Sequence, residues 1–355
     1  MRIDFKIQKK VKINTIGIYI VGLLWLQVTI AYGQKTDSSK AEVKDRYIQN
    51  MTDLSSYKLS ITNDIVVFSV DADNYFVKLY PNTATSLKLS FNYRFLSFTI
   101  THAPSFLPNN KDDKLKGKTK NFGLGFGLMH PHWFTHVSYS KNKGYYLENT
   151  RDFSANWQQG DPYIQFPELE VNSFEAIGGY SFNENFSVRA LTTQTERQLQ
   201  SAGSFIPMAA VRLYYVNNLQ NTSGQKSRNL ELIAGAGYHY TLVLKQNFYI
   251  SAGITPGAGF IFTELTTRGN QGSPDDIITN SKSPVARIEG RGALGYNGKK
   301  FFAGAQVDIR GTWHEQENTT VINSDTHTFY QIFFGLRFPA PKVLNKLMDK
   351  VPYMN

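Results

Sequence analysis

The chain has 355 residues, 41% of them hydrophobic and only 19% charged, with 25 Phe, 20 Tyr, 27 Gly and no Cys. Disulfides, thiolate metal sites and a cysteine nucleophile are thereby excluded, and the aromatic, glycine-rich, charge-poor balance points to an all-β chain. The net charge of +10 suits phosphate-bearing lipid headgroups better than nucleic acid, because nothing resembles a recognition helix or an aromatic RNA-binding strand.

The first 33 residues read as a signal peptide. Arg2, Lys6, Lys9, Lys10 and Lys12 precede an apolar run from Ile16 to Ile30, and Ala31-Tyr32-Gly33 offers small residues to a signal peptidase. The run is shorter than the roughly 20 residues a membrane helix needs. Cleavage after Gly33 leaves Gln34 as the first mature residue, and no Cys is present to receive a lipid. Residues 34–56 are polar and read as a periplasmic lead-in. No long apolar helix follows, so a mature chain that spans a membrane must do so as a closed barrel.

From residue 57 to 338 the dominant period is two. Leu87, Leu89, Phe91 and Tyr93 alternate with polar partners, and the parity slips to Leu96, Phe98 and Ile100 across a tight turn at Arg94-Phe95. Phe122 to Leu128 alternate with glycines. Further alternating runs start at Phe174, Phe205, Leu230, Phe248, Phe301 and Tyr330. These runs reach the 9–11 residues of a tilted membrane strand, whereas strands in soluble domains average about 5–6. Tight turns at His130-Pro131-His132, Asn183-Glu184-Asn185, Lys245-Gln246-Asn247 and Asn297-Gly298-Lys299 alternate with long polar segments at 103–118, 141–169, 265–283 and 316–326. Short periplasmic turns and long outer loops are the pattern of a transmembrane antiparallel β-barrel. About 12 strands are predicted, within a range of 10 to 14. The segment 204–216 leaves an odd count, so either it folds inside an outer loop without spanning or a partner strand goes unseen; the count of 12 drops it and takes Tyr75–Tyr80 as the first strand. Pro339 and Pro341 end the sheet, and 339–355 form a periplasmic tail with a short amphipathic helix over 342–351.

The second face of the late strands carries Arg287, Glu289, Arg291, Asp308, Arg310 and Arg337. Charges of this kind cannot face lipid and fit a wet lumen in which neighbouring strands pair opposite signs. Lys114, Lys116, Lys118 and Lys120 repeat at every second residue. If extended, they line one edge of an outer loop and suit lipopolysaccharide phosphates. His130, His132 and His136 read as turn histidines beside an aromatic belt rather than as metal ligands. Ser201 and Ser204 follow Glu196, but no G-x-S-x-G elbow surrounds them. No catalytic residue, cofactor or metal is expected.

Five stretches carry a family resemblance: Tyr80-Pro81-Asn82, Tyr93-Arg94-Phe95-Leu96-Ser97, residues 116–120 (KGKTK), residues 143–149 (KGYYLEN) and residues 197–205 (RQLQSAGSF). They resemble a family of Bacteroidetes outer-membrane proteins numbered 4421 among domains of unknown function. The resemblance implies an exported envelope protein and supplies no activity. The leading expectation is passive passage or binding of a small polar or anionic solute. The alternatives are a structural or adhesion protein touching lipopolysaccharide or a partner, and, least favoured, a barrel-embedded hydrolase.

Overall fold

A computed structural model describes residues 46–72, 75–82, 85–108, 110–218, 225–269, 276–315 and 322–350. The signal-peptide reading lies outside the described residues. The strands are β1 (Ile48–Asn50), β2 (Leu54–Ala72), β3 (Tyr75–Tyr80), β4 (Ser86–Tyr93), β5 (Leu96–His102), β6 (Lys120–Met129), β7 (Trp133–Leu147), β8 (Gln165–Tyr180), β9 (Glu196–Gln198), β10 (Ala202–Asn218), β11 (Gln225–Leu244), β12 (Phe248–Thr267), β13 (Ile277–Asn297), β14 (Phe301–Glu315) and β15 (Ile322–Pro339). Short helices are α1 (Asp113–Lys116), α2 (Thr150–Phe153), α3 (Val188–Thr192) and α4 (Lys342–Met348).

Twelve of these strands close a barrel. Each pairs antiparallel with its neighbours in the order β2, β4, β5, β6, β7, β8, β10, β11, β12, β13, β14 and β15, and β15 pairs back to β2 from Ile322↔Asp71 to Pro339↔Leu54. Closure leaves no sheet edge, which is what lipid demands of backbone amides.

The membership differs from the sequence reading in two places. Residues 204–216 do not fold within a loop: they belong to β10, which pairs with β8 and β11 along its length. Tyr75–Tyr80 is not the first spanning strand. It is a short ribbon at the rim that carries the long loops, paired with the end of β2 and with Leu147 and Tyr146 of β7. The first spanning strand is β2, whose alternation is clear only at Tyr57, Leu59 and Ile61, all exposed on the outer wall.

The apolar residues that alternate in the sequence face outward. Leu89, Phe98, Phe126, Tyr238, Ile254, Leu294 and Ile332 are all exposed, Ile332 at 71%. No monomer in water would expose so continuous a belt, and lipid is its solvent. Ile254 stands midway along this belt on β12, 53% exposed. Ile254→Arg is expected to destabilise the barrel by about 2–4 kcal/mol, against about 0–1 kcal/mol for Ile278→Arg, on the same face near the long-loop end of β13. Denaturant unfolding in lipid vesicles measures both, and equal costs would mean that the belt is misplaced.

Interior crowding sets the glycine positions. At Gly144, φ is +93°, a Cβ would collide with the Lys118 carbonyl, and the β7–β8 register shifts between Lys143 and Tyr145. This is a glycine bulge that lets the β5–β6 loop close over the wall. At Gly253 a Cβ would collide with the His239 ring, so glycine there lets that imidazole turn toward Thr255 Oγ1 at 3.1 Å.

Candidate functional site

The charged lumen residues form one network. On β13, Arg287 is ion-paired to Glu231 of β11, with Glu289 at 3.5 Å and Glu175 of β8 at 4.0 Å. On β14, Arg310 reaches Glu175 at 2.8 Å and Glu289 at 3.0 Å. Arg291 and Asp308, cross-strand partners on β13 and β14, meet at 2.6 Å. Glu175 and Arg310 lie five strands apart around the barrel, so this pair braces one wall against another. Sequence reasoning pairs charges between neighbouring strands, as Arg291 and Asp308 do. It misses Glu175, Glu231 and Arg212, each a single charge flanked by apolar residues (Phe174 and Ala176, Leu230 and Leu232, Val211 and Leu213). A lone charge inside an alternating greasy strand is the signal that marks the wet face.

Arg337 lies apart from this network, at the end of the barrel that carries the short turns. Its Nε and Nη2 donate to the Gln194 carbonyl at 3.0 and 2.6 Å, and its Nη1 donates to the Gly298 carbonyl. The segment it holds, from Asn183 to Ser201, connects β8 to β10 and folds inward. Asn183 does turn, bonding the Gly203 carbonyl at 2.7 Å, but the chain then makes an excursion through α3 and β9 before returning. Thr193, Gln194, Thr195, Glu196, Arg197 and Gln198 are all buried. β9 pairs with β1 from the polar lead-in, so 48–50 is strand within this insert.

The insert is anchored around the whole mouth. Ser56 Oγ and Lys58 Nζ of β2 donate to the Thr193 and Thr192 carbonyls at 3.1 and 2.8 Å. Arg189 donates from Nε and Nη2 to the Met129 carbonyl at the end of β6 and pairs with Glu196 at 3.1 Å. Arg197 donates to Asn247 Oδ1 in the β11–β12 turn at 2.6 Å, and Asn297 Nδ2 of β13 donates to the Glu196 carbonyl at 3.1 Å. Polar residues are tolerated inside because nearly every group finds a partner. A small apolar core of Phe186, Val188, Ala202 and Ile206 seats the insert against β10. We refer to residues 184–201 as the plug.

Above the plug lies a cavity of about 440 Å³ whose lining includes Phe186, Val188 and Leu191 of the plug. Five cations (Lys58, Lys88, Arg212, Arg291 and Arg310) and three acids (Glu175, Glu289 and Asp308) face it, with His136, His239 and His327. Lys58 and Lys88 stand on paired strands β2 and β4, their ammonium groups each 5.2 Å from an inward ring of β15, Phe333 and Phe329 respectively. Lys58 feels the like charges of Lys88 and Arg291.

The remaining sequence candidates lie away from the charged network, apart from His136. Lys114 and Lys116 are in α1, so the four lysines do not form one extended edge. Lys116 pairs instead with Asp112 at 3.0 Å, one helical turn away. Lys120 opens β6. His130 and His132 sit in the β6–β7 turn, where His130 stacks on Trp133 with ring centroids 4.1 Å apart. Burial, with Arg189 close by, pulls the His130 imidazole down to about 4, so it is neutral beside the plug. His136 lies on β7 and faces the cavity. Among the described residues no group of three or more His, Cys, Asp or Glu is disposed to hold a metal ion. Ser201 Oγ accepts from the Val243 amide at 2.9 Å, while Ser204 Oγ meets Ser181 Oγ and the Asn183 amide, both at 3.0 Å. Both hydroxyls pin the ends of the plug. The tail helix α4 packs Met348 and Leu344 against Tyr93 and Phe95, and Asp349 pairs with Arg94 at 2.7 Å.

A lipid-facing belt, a charged interior and an inward-folded plug define a transmembrane β-barrel of the outer-membrane kind. The chain belongs to the family described as Domain of unknown function (DUF4421), which matches residues 35–338. No curated protein matches. Among solved structures, the outer membrane protease OmpT from Escherichia coli is similar with 6% identity and a TM-score of 0.38, over 82% of this chain and 98% of that one. The Pseudomonas putida toluene transporter TodX is similar with 8% identity and a TM-score of 0.30, over 82% and 94%. The translocator domain of the Neisseria meningitidis autotransporter NalP is similar with 5% identity and a TM-score of 0.29, over 92% and 97%. At such identities and TM-scores these similarities say nothing about substrate or chemistry.

Proposed function

We propose that this protein, exported to the outer membrane by its N-terminal segment, binds a small anionic solute in the lumen cavity above the plug and has no catalytic role. The carrying observation is the cavity's charge: five cationic against three acidic side chains, in a space of about 440 Å³ floored by protein. A cleft lined mostly by one sign concentrates counter-ions. Glu175 and Glu289 pair with Arg310, and Asp308 with Arg291, so the three acids sit on the arginine side of the cavity. The taken-up hydroxyls of Ser201 and Ser204 favour a binding role over a hydrolytic one. Calorimetric titration of the detergent-solubilised protein with inorganic phosphate is expected to give saturable binding, weakened about tenfold or more when Arg291→Gln and Lys88→Met are combined. Equal binding by that double variant would remove the lumen from the reading.

A second reading, contact with lipopolysaccharide phosphates, draws on the outward face of the outer strand ends. There Arg228 is half-exposed beside Glu264, and Lys282 lies 4.5 Å from the centre of the Phe260 ring, just above the belt.

A further inference from the structure

The best-connected polar side chain between plug and cavity is Lys58. Its ammonium group donates to the Thr192 carbonyl at 2.8 Å and to Gln194 Oε1 at 3.1 Å, both in the plug, and it also lines the cavity. It is only 6% exposed, and its neighbours are two neutral oxygens and the Phe333 ring rather than a carboxylate. A buried cation without an anion is costly. An ammonium has three donors, and the plug takes two. Lys88, a diagonal neighbour on the paired strand about 7–8 Å away, adds a second positive charge, and Arg291 a third.

Resting on the anion-binding reading above, we propose that Lys58 is the shared element of an anion seat and the plug latch, so that a small dianionic oxyanion bound between Lys58 and Lys88 draws the ammonium from the Thr192 carbonyl and loosens the plug. Lysine suits this role because its ammonium is a point charge on a flexible stem, able to exchange a neutral acceptor for a charged one without moving its backbone. A charge-assisted hydrogen bond is roughly twice as strong as the neutral one it replaces. The exchange therefore favours the anion once it has entered. A ligand that binds the unlatched state better shifts the plug by that difference in affinity and by no more. The same coupling runs in reverse, so a change in the plug that frees the Lys58 ammonium tightens anion binding.

The chain has no Cys, so one introduced thiol reports on the plug alone. Thr195→Cys places it at a residue 1% exposed, where a water-soluble thiol reagent reacts only when the plug moves. In the full-length, detergent-solubilised protein, inorganic phosphate is expected to speed labelling about fivefold or more over sodium chloride of equal ionic strength. In the same background Lys88→Met is expected to raise the phosphate concentration needed for that acceleration. Lys58→Met is expected to label fast with or without phosphate. Should Lys58→Met fail to fold, Lys58→Arg serves, keeping the charge with altered reach and a blunted response. Phosphate that binds by calorimetry without changing the labelling rate overturns the latch and leaves the solute-binding reading standing. Phosphate that does not bind at all overturns both.

Discussion

Replacing residues 185–200 with a short Gly-Ser linker is expected to turn a barrel that is silent in a planar lipid bilayer into one that conducts in discrete steps. The excursion begins and ends at neighbouring positions on the wall. Asn183 already bonds the Gly203 carbonyl, and the Phe182 amide bonds the Phe205 carbonyl. The two strands that the plug interrupts are thus side by side at its roots, and a few residues can close the hairpin. What the deletion removes is held by polar contacts to β2, β6, β13, β15 and the β11–β12 turn. At a net of about 1 kcal/mol for each such bond, these contacts keep the plug seated. They are not needed by the wall, whose strands pair with each other. The shortened barrel should still shift on a gel between boiled and unboiled samples, which separates an open barrel from an unfolded one. A folded shortened barrel that stays silent would show that the cross-braced arginines, not the plug, close the lumen.

The outer wall is legible from sequence because lipid imposes a strict period of two. A side chain on the wrong face is costly, so Phe174, Phe205 or Leu230 declares its whole strand. The turn at Arg94-Phe95 is legible for the same reason: a two-residue reversal changes the parity of the face, and Arg94 takes φ 50° to make it. The strand set is less legible. β2 hides behind a polar lead-in, shows alternation at only three positions, and then runs Ile65-Val66-Val67-Phe68 with no alternation. Tyr75–Tyr80 looks like a strand and is one, but its partners are rim segments. The plug is the element that sequence patterning hides most completely. Thr192 to Gln198 is an uninterrupted polar run, and polar runs are ordinarily solvated. Here some groups are satisfied within the plug, as Gln194 is by the Leu191 carbonyl, and others by barrel strands and turns distant in sequence, as Arg337 with Gln194 shows across 143 positions. Only the fold brings such partners together. The lumen charges sit between these extremes: their face follows from parity, while a brace such as Glu175–Arg310 depends on which walls face each other.

Arg287→Met is expected to lower barrel stability by about 3–5 kcal/mol, the cost of leaving buried acids without their cation. Arg287 is the most enclosed member of the network, its side chain 2% exposed, and Glu231 is 3% exposed beside it. Neither can turn to water when the other is lost. Glu175 and Glu289 suffer less, because Arg310 still serves both at 2.8 and 3.0 Å. The penalty should therefore fall on Glu231, and a second substitution that neutralises it should recover most of the loss. Arg287→Met with Glu231→Met is expected to unfold within about 1–2 kcal/mol of the unmodified protein, since well-packed apolar pairs replace buried ion pairs at little cost. Glu289→Gln, one residue face along the same strand, is expected to cost less than Arg287→Met because its partner Arg310 keeps Glu175. The midpoint of urea unfolding in vesicles, followed by tryptophan fluorescence, measures all three. If the double variant is as unstable as Arg287→Met alone, the pair is not an isolated charge balance, and Arg287 must hold the walls together through Glu175 and Glu289 instead. That outcome would make the cross-lumen brace, rather than the Glu231 contact, the interaction that keeps the charged core in register.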